Sequence, residues 1–239
     1  CIGCGKETIS KCGKLKVWHW AHSSKKHCDS WWENEGEWHR KWKNYFPEEC
    51  QEIRMQDKKT EEFHIADIQL KNGLVIELQN SAISIDEMRS RENFYENMIW
   101  IVNAEKFKRN IKIGHKLPSP ESNFSKDIIF HNRTQYADGS YLKNAMWYLK
   151  SKQLPDGMIL HCGGQEKEVL SELEKNYTGD HFFHWKNPRK VWCNSNAPVF
   201  FDSGEGWIWQ LNLNHPNAPK KLVIKHFLKE DLIANLMKN

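Results

Sequence analysis

The chain has 239 residues, enough to bury one sizeable core, alone or with a small satellite. It contains no run of about 18 apolar residues and no basic-then-apolar leader, so we expect neither a membrane span nor a secretory signal, and a cytoplasmic location. The net charge of +4 is too small to identify a nucleic-acid partner by itself, although clustered lysines and arginines fit one.

Residues 1–29 form a short basic segment rich in cysteine and histidine, in which KVWHWAH predicts a strand. Four of the seven cysteines lie here, and a cytoplasmic protein is not expected to build a disulfide framework. A CxxC pair followed by a later His and Cys can instead form a structural Zn²⁺ site, with free thiols as the alternative. The candidate ligands are Cys1, Cys4, Cys12, His19, His22, His27 and Cys28.

The next stretch, SWWENEGEWHRKWKNYF, predicts a helix that begins at a Ser30 cap and ends before Pro47. One face should be a buried aromatic stripe of Trp31, Trp38, Trp42 and Tyr45. A second face carries Glu35, His39 and Lys43 at i, i+4 and i+8. Such a ladder is either an exposed row of charged side chains or part of a site.

A predicted hairpin follows a polar linker. FHIADIQL and LVIEL have the pattern of two strands, and Lys71-Asn72-Gly73 between them is a strong turn signal. SIDEMRSRENFYENM then predicts a helix, and MIWIVN a fully buried strand. The order of helix, strand, strand, helix and strand indicates an α/β sheet with helices on its faces.

The remainder of the chain has a weaker pattern. SYLKNAMWYLKSK and QEKEVLSELEKNY predict helices, and GMILHC a short strand, so residues 105–180 are interpreted as a mostly helical insertion after a core of residues 30–104. In residues 181–239, HFFHWK, KVWCNS, APVFFDS and GWIWQLNL predict strands that complete or extend the sheet, and KEDLIANLMKN a final helix.

Polar side chains interrupt the predicted hairpin strands. Glu77 and Gln79 share one face of the second strand, and closure at Asn72-Gly73 places Asp67 about opposite Glu77. Buried charge is costly unless it is paired or holds a metal, and two close carboxylates favour a divalent cation between them. Because hard oxygen ligands suit Mg²⁺ or Mn²⁺ better than Zn²⁺, we expect Asp67 and Glu77 to bind one of these ions.

Basic and aromatic residues elsewhere are candidates for substrate contact. Arg91 and Tyr95, at i and i+4 on the helix after the hairpin, can clamp a phosphate or a base, or can be a surface Arg beside a core Tyr. In WKNPRKVW, Lys186 and Arg189 lie between two tryptophans that are better assigned to the core than to base stacking. Lys186 and Arg189, together with Lys43, are expected to contact phosphates.

The carboxylate arrangement resembles the active site of PD-(D/E)XK nucleases, in which an Asp and then an acid-x-Lys on the following strand assemble around Mg²⁺. Gln79 stands at the Lys position and departs from that pattern. Because a Gln carries no charge, the resemblance implies that Gln79 orients the attacking water or the substrate by hydrogen bonds.

Three stretches, WENEGEWHRKWK, HIADIQLKNGLVIELQNS and RENFYENMIWIVNA, resemble in order and spacing the CoiA-like competence protein family over residues 17–104. HFFHWKNPRKVWCNSNAPVFFDSG is similar to the later segment of that family, whereas residues 105–180 carry no such resemblance. The resemblance implies a restriction-endonuclease-like core with a nuclease site at Asp67, Glu77 and Gln79, assisted by Glu35 and His39. It also favours one zinc-ligand set: Cys1, Cys4, His22 and Cys28.

Together these features predict a Mg²⁺- or Mn²⁺-dependent DNA nuclease acting in competence, in repair or recombination, or in anti-phage defence, on single-stranded or branched DNA. Because Gln79 replaces a lysine, the competing hypothesis is a catalytically inactive DNA-binding protein of the same fold that delivers or protects single strands. The zinc segment can additionally serve as a module that recruits protein partners from a DNA-processing or defence complex.

Overall fold

The computed structural model of the protein describes residues 7–13, 18–22, 31, 35–56, 63–131, 146–152, 165–218 and 222–238. The chain divides into two compact units, one formed by Cys1–Ile101 with Met237–Asn239 and the other by Val102–Leu236. Both units are built mainly from strands with a few short helices, so the fold is mixed α/β.

The first unit begins with a small antiparallel ribbon of two strands, β1 (Thr8–Lys11) and β2 (His19–His22). The ribbon contains part of the predicted strand KVWHWAH, whereas β1 has no clear signal in the sequence. Of the proposed zinc ligands, Cys1, Cys4 and Cys28 lie outside the described residues, as does the alternative ligand His27. Only the strand positions of His19 and His22 are described, and Cys12 is exposed. The zinc site therefore stays a prediction.

Helix α1 covers Glu37–Lys43 and is shorter than the sequence predicts. The predicted start at Ser30 is wrong, because the backbone at Gly36 is extended and caps the helix there. Trp42 is buried as expected, but Tyr45 is 47 % exposed and does not belong to the buried stripe. His39 and Lys43 are both buried, so this face of α1 is not an exposed ladder.

Three antiparallel strands follow α1: β3 (Gln51–Gln56), β4 (Phe63–Gln69) and β5 (Val75–Gln79). The predicted hairpin is confirmed as β4 and β5. Its turn is closed by Asn72, whose side-chain oxygen accepts a hydrogen bond from the Leu74 N–H at 3.0 Å, and by Gly73 at φ 84°. Strand β3, which pairs with β4, is an addition to the predicted order.

Helix α2 (Ile85–Tyr95) and strand β6 (Met98–Asn103) match the prediction closely. The Ser84 hydroxyl caps α2 by accepting a hydrogen bond from the Glu87 N–H at 3.1 Å. Every residue of β6 is buried, as its unbroken apolar pattern predicts. The strands of this unit lie in the order β3-β4-β5-β6, which places the hairpin in the middle of the sheet.

The elements of the second unit, in chain order, are β7 (Ile111–Pro118), α3 (Asn123–Asp127), β8 (Ile128–His131), β9 (Met146–Leu149), α4 (Gln165–Lys175), β10 (Tyr177–Trp185), β11 (Val199–Asp202), β12 (Trp207–Asn212), β13 (Val223–Leu228) and α5 (Lys229–Lys238). The unit is built around an antiparallel sheet with the strand order β11-β12-β13-β10-β7. Strands β8 and β9 form a separate antiparallel pair.

Several predictions for the second unit need correction. The described part of residues 105–180 holds strands β7, β8 and β9 and the start of β10 besides α3 and α4, so it is not mostly helical. Residues 146–149, predicted as helix, form β9 because they pair with β8. KVWCNS is not a strand but contains a 3-10 turn at Trp192–Asn194. The stretch GMILHC lies outside the described residues. Helix α4, strands β10, β11 and β12, and α5 agree with the prediction.

Within the part of the chain that the structure describes, no helix combines the length and the apolar character required to cross a bilayer.

Candidate functional site

The central feature of the site is a pair of carboxylates on facing strands. The main-chain pairing of β4 and β5 places Ile68 opposite Ile76, and the next residues along, Asp67 and Glu77, are linked by hydrogen bonds from backbone N–H groups to their carboxylates. The Leu78 N–H donates to Asp67 Oδ2 at 2.9 Å, and the Asp67 N–H donates to Glu77 Oε1 at 3.3 Å. The predicted opposition of these two acids is therefore present.

The two carboxyl groups are electrostatically unfavourable as a pair of anions. Burial raises the pKa of Asp67, against the opposing influence of Lys43. Burial and the Asp67 carboxylate raise the pKa of Glu77 to about 8, although Arg91 acts in the opposite direction. Neighbouring buried acids of this kind retain a proton at neutral pH or gain from a divalent cation.

Arg91 of α2 neutralises the Glu77 side of the pair. Its guanidinium donates to Glu77 Oε2 at 3.0 Å, to Glu87 Oε1 at 2.6 Å and to the Trp31 carbonyl at 3.0 Å. Burial would lower the pKa of Arg91, but Glu77 and Glu87 together raise it. Because the side chain is 5 % exposed, Arg91 fixes the Glu77 carboxylate and does not clamp a strand from the surface.

Lys43 of α1 lies on the Asp67 side. Its ammonium is 2.9 Å from Glu35 Oε1, 3.1 Å from Glu52 Oε1 and 3.6 Å from Asp67 Oδ1, with 8 % of the side chain exposed. Burial would lower the pKa of Lys43, but these acids outweigh it and raise the pKa. The predicted helix face thus joins Lys43 to Glu35, which precedes α1 in the chain.

His39 supports strand β5 from α1. Its Nε2 is 2.9 Å from the Leu78 carbonyl, and because a carbonyl only accepts, the neutral ring must carry its proton on Nε2. His39 Nδ1 is buried and has no hydrogen-bond partner among the described residues. The ring therefore holds the backbone next to Glu77, which is a positioning contact.

Gln79 is buried one pleat beyond Glu77, and its amide donates to the Ser81 hydroxyl at 3.2 Å and the Ser81 carbonyl at 3.4 Å. These bonds orient the side chain from the turn that follows β5. The role predicted for Gln79 with water or substrate stays a prediction.

The remaining predicted contact residues lie elsewhere. Tyr95 is 5 % exposed and packs edge-on against Trp31 and Phe94, so it is a core residue and not a clamp. Lys186 and Arg189 belong to the second unit. Lys186 is exposed, and the Arg189 guanidinium lies 4.5 Å from the centre of the Phe107 ring.

The two tryptophans that flank Lys186 and Arg189, Trp185 and Trp192, are 4 % and 1 % exposed, which confirms their assignment to the core.

Sequence reasoning missed two acids of the site. Glu87 lies one turn before Arg91 on α2, so its i, i+4 spacing was a usable signal. Glu52 offered no such signal, because strand β3 was not predicted. Its backbone adopts φ 53°, a region that non-glycine residues rarely occupy, and its carboxylate reaches Lys43 from that position.

The site offers two carboxylates, Asp67 and Glu77, as ligands for Mg²⁺ or Mn²⁺. Among the described residues, no group of three or more His, Cys, Asp and Glu side chains is arranged to enclose a metal ion. Each carboxylate nevertheless has one oxygen engaged weakly: Asp67 Oδ1, 3.6 Å from Lys43, and Glu77 Oε1, 3.3 Å from a backbone nitrogen. One or two carboxylates, completed by water and substrate oxygens, are the usual protein share of a Mg²⁺ site.

Part of the chain that contains the two carboxylates matches a known protein family. Residues 42–152 match the family model described as competence protein CoiA, nuclease-like domain. This part of the chain belongs to that family. The CoiA match includes Asp67, Glu77, Gln79 and Arg91, and it confirms the resemblance found in the motifs. It begins after His39 and continues beyond the predicted core into residues 105–152. No curated protein and no solved structure matches the chain.

Proposed function

We propose that the protein is a divalent-metal-dependent DNA nuclease that hydrolyses phosphodiester bonds, with Asp67 and Glu77 as the ligands of Mg²⁺ or Mn²⁺. The observation that carries the proposal is the facing pair of desolvated carboxylates on β4 and β5, in a segment that belongs to a nuclease-like family. A restriction-endonuclease-like core is supported by the hairpin standing between α1 and α2 in the chain.

The residues around the pair have distinct tasks in this proposal. When bound, the metal lowers the pKa of a coordinated water and stabilises negative charge on the phosphate. Arg91 and the Leu78 N–H each hold one oxygen of Glu77 and Asp67, respectively, so the other oxygens keep a fixed direction. His39 fixes the Leu78 carbonyl, and Gln79 orients water or substrate. In the second unit, Lys186 and Arg189 are the proposed contacts to phosphates elsewhere on the DNA, without sequence preference.

The deciding experiment is incubation of the protein with end-labelled single-stranded, duplex and branched DNA, with Mg²⁺, with Mn²⁺ and with a chelator. We expect metal-dependent cleavage by the wild type and none by Glu77→Ala, with DNA affinity within about threefold of wild type because the phosphate contacts remain. Glu49→Ala, an exposed acid of the same unit, is the matched control. Cleavage by Glu77→Ala in Mg²⁺ would remove the proposal.

A second function is favoured by one observation. Both carboxylates already have a cationic neighbour, Arg91 for Glu77 and Lys43 for Asp67, and Gln79 adds no charge. Such a neutralised site is compatible with a DNA-binding protein that delivers or protects single strands without cutting them. Tight DNA binding without cleavage of any of the three substrates, in either metal, would select this function.

The biological setting proposed for either function is natural competence, with DNA repair, recombination or anti-phage defence as further settings for the same chemistry. The N-terminal segment with its proposed Zn²⁺ is assigned a supporting role, in which it grips the substrate or recruits protein partners. Zinc content measured on the purified protein, and on a Cys1→Ser and Cys4→Ser double variant, tests the metal part of this assignment.

A further inference from the structure

Hydrolysis of a phosphodiester builds negative charge on the phosphate, and catalysis depends on positive charge placed where that charge develops. The hairpin presents two acids and a neutral amide, so its own strands supply none. Two buried cations adjoin the acids, Arg91 and Lys43. Of the two, we propose that Lys43 is the catalytic cation, whose ammonium contacts the phosphate undergoing hydrolysis; this inference rests on the proposed nuclease function.

Access distinguishes Lys43 from Arg91. Lys43 lines a cavity of about 430 Å³ whose wall also includes Glu35, Arg40 and Glu52. Lys43 therefore borders a space that can admit a phosphate, and its ammonium lies 3.6 Å from Asp67 Oδ1. The Arg91 guanidinium packs instead against the rings of Trp31 and Trp100, with its carbon 5.6 Å and 5.9 Å from their centres.

Neighbouring carboxylates stabilise the positive charge of the buried Lys43 ammonium. An isolated ammonium with 8 % of its side chain exposed would be poorly solvated, but Glu35 and Glu52 contact it directly. Glu52 makes this contact with its backbone at φ 53°, a region that non-glycine residues rarely occupy.

A competing explanation is purely structural: Lys43 could join α1 to β3 and β4 and do nothing else. The two explanations predict opposite effects on metal binding. An ammonium beside Asp67 repels a divalent cation, so a catalytic Lys43 is an electrostatic competitor of the metal. Its removal should slow cleavage without weakening the metal site, whereas structural damage should weaken both.

The test compares Lys43→Gln and Lys43→Arg with the wild type. Three quantities are measured: the single-turnover cleavage rate with Mn²⁺, the Mn²⁺ affinity of the DNA-free protein by calorimetry, and the thermal unfolding midpoint. Lys71→Gln, the same charge change at an exposed position of the hairpin turn, is the control and should cleave within about twofold of wild type.

For Lys43→Gln we expect cleavage to fall by about 100-fold or more, as for loss of one preorganised charge donor, with Mn²⁺ affinity unchanged or raised by up to about tenfold. Lys43→Arg should cleave at least about tenfold faster than Lys43→Gln, because the charge is retained. If Lys43→Gln unfolds below the assay temperature, a Lys43→Met and Glu52→Gln double variant removes the ammonium together with one of its acids and gives the same comparison.

Three results would overturn the assignment. If Lys43→Gln cleaves within about threefold of an active wild type, the catalytic assignment of Lys43 is wrong, but the nuclease proposal stands. Equal loss in the Arg and Gln variants shows that charge is not what matters. A joint fall of cleavage and Mn²⁺ affinity shows that Lys43 only holds the ligands. If the wild type cleaves no substrate with either metal, the nuclease proposal itself is wrong, and the catalytic role of Lys43, which rests on it, is wrong as well.

Discussion

The Arg91 guanidinium donates to the Glu77 carboxylate at 3.0 Å, and the two side chains are 5 % and 4 % exposed. This ion pair joins α2 to β5 at Glu77, an acid of the hairpin whose pKa is raised to about 8. A buried pair of this type is costly to form, but it is more costly to leave with only one partner. The folding stability of the first unit therefore depends on Glu77, a residue of the candidate site, keeping its partner Arg91.

Replacing Arg91 by Met should destabilise the protein by about 3–5 kcal/mol at pH 9, because Glu77 is then left ionised and buried without its partner. The free energy of unfolding is measured by urea denaturation. At pH 6 the loss should be smaller, since Glu77 has a pKa of about 8 even with Arg91 beside it and is therefore protonated in both proteins.

Arg89 provides the matched control for Arg91, because it is exposed on the same helix and its change to Met should cost within about 0.5 kcal/mol. The double variant Arg91→Met with Glu77→Gln should recover part of the stability lost in Arg91→Met alone. A double variant that is less stable by the simple sum of the two changes would show that the pair is not coupled.

His39→Ala should destabilise the protein by about 1–3 kcal/mol, because the buried Leu78 carbonyl loses its donor. His39→Gln can keep a donor and should lose less. The measurement is urea unfolding of both variants, with His184→Ala, an exposed histidine, as the control. Equal losses in the Ala and Gln variants would mean that packing of the ring, and not the hydrogen bond, is what β5 requires.

The hairpin and its two acids could be predicted because the information is local. Asn72-Gly73 fixes the turn, the two-residue period fixes the faces, and together they place Asp67 opposite Glu77. Helix α2 and strand β6 carry equally local signals, a serine cap and an unbroken apolar run. Each of these features needs fewer than about 20 residues of context.

The features that the sequence did not predict depend on contacts between residues that are distant in the chain. Strand β3 is rich in polar residues and has strand character only through its pairing with β4. The burial of Lys43 depends on Glu52 of that strand, so a surface position was the natural expectation for it. Residues 146–149 have helical periodicity, but pairing with Ile128–His131 outweighs it.

Stability should decrease with rising pH because of Glu77. Its pKa is raised from 4.5 to about 8, so between these values the folded protein keeps a proton that the unfolded chain has released. Each rise in pH within this window therefore favours the unfolded state, and the effect levels off above about pH 8. Urea midpoints measured from pH 5 to pH 9 should show this decrease in the wild type and a flatter profile in Glu77→Gln. An unchanged slope in Glu77→Gln would assign the effect to another group.

Binding of Mn²⁺ should tighten as the pH rises toward 8. The metal requires ionised Asp67 and Glu77, whereas the metal-free pair retains a proton because burial raises both pKa values and the Asp67 carboxylate raises the pKa of Glu77 further. Binding therefore releases about one proton, and the affinity should increase by about tenfold per pH unit below 8. Calorimetric titration in two buffers with different ionisation enthalpies counts that proton directly. Above about pH 8 the dependence should disappear, and an affinity that is independent of pH from 6 to 8 would place the metal away from this pair.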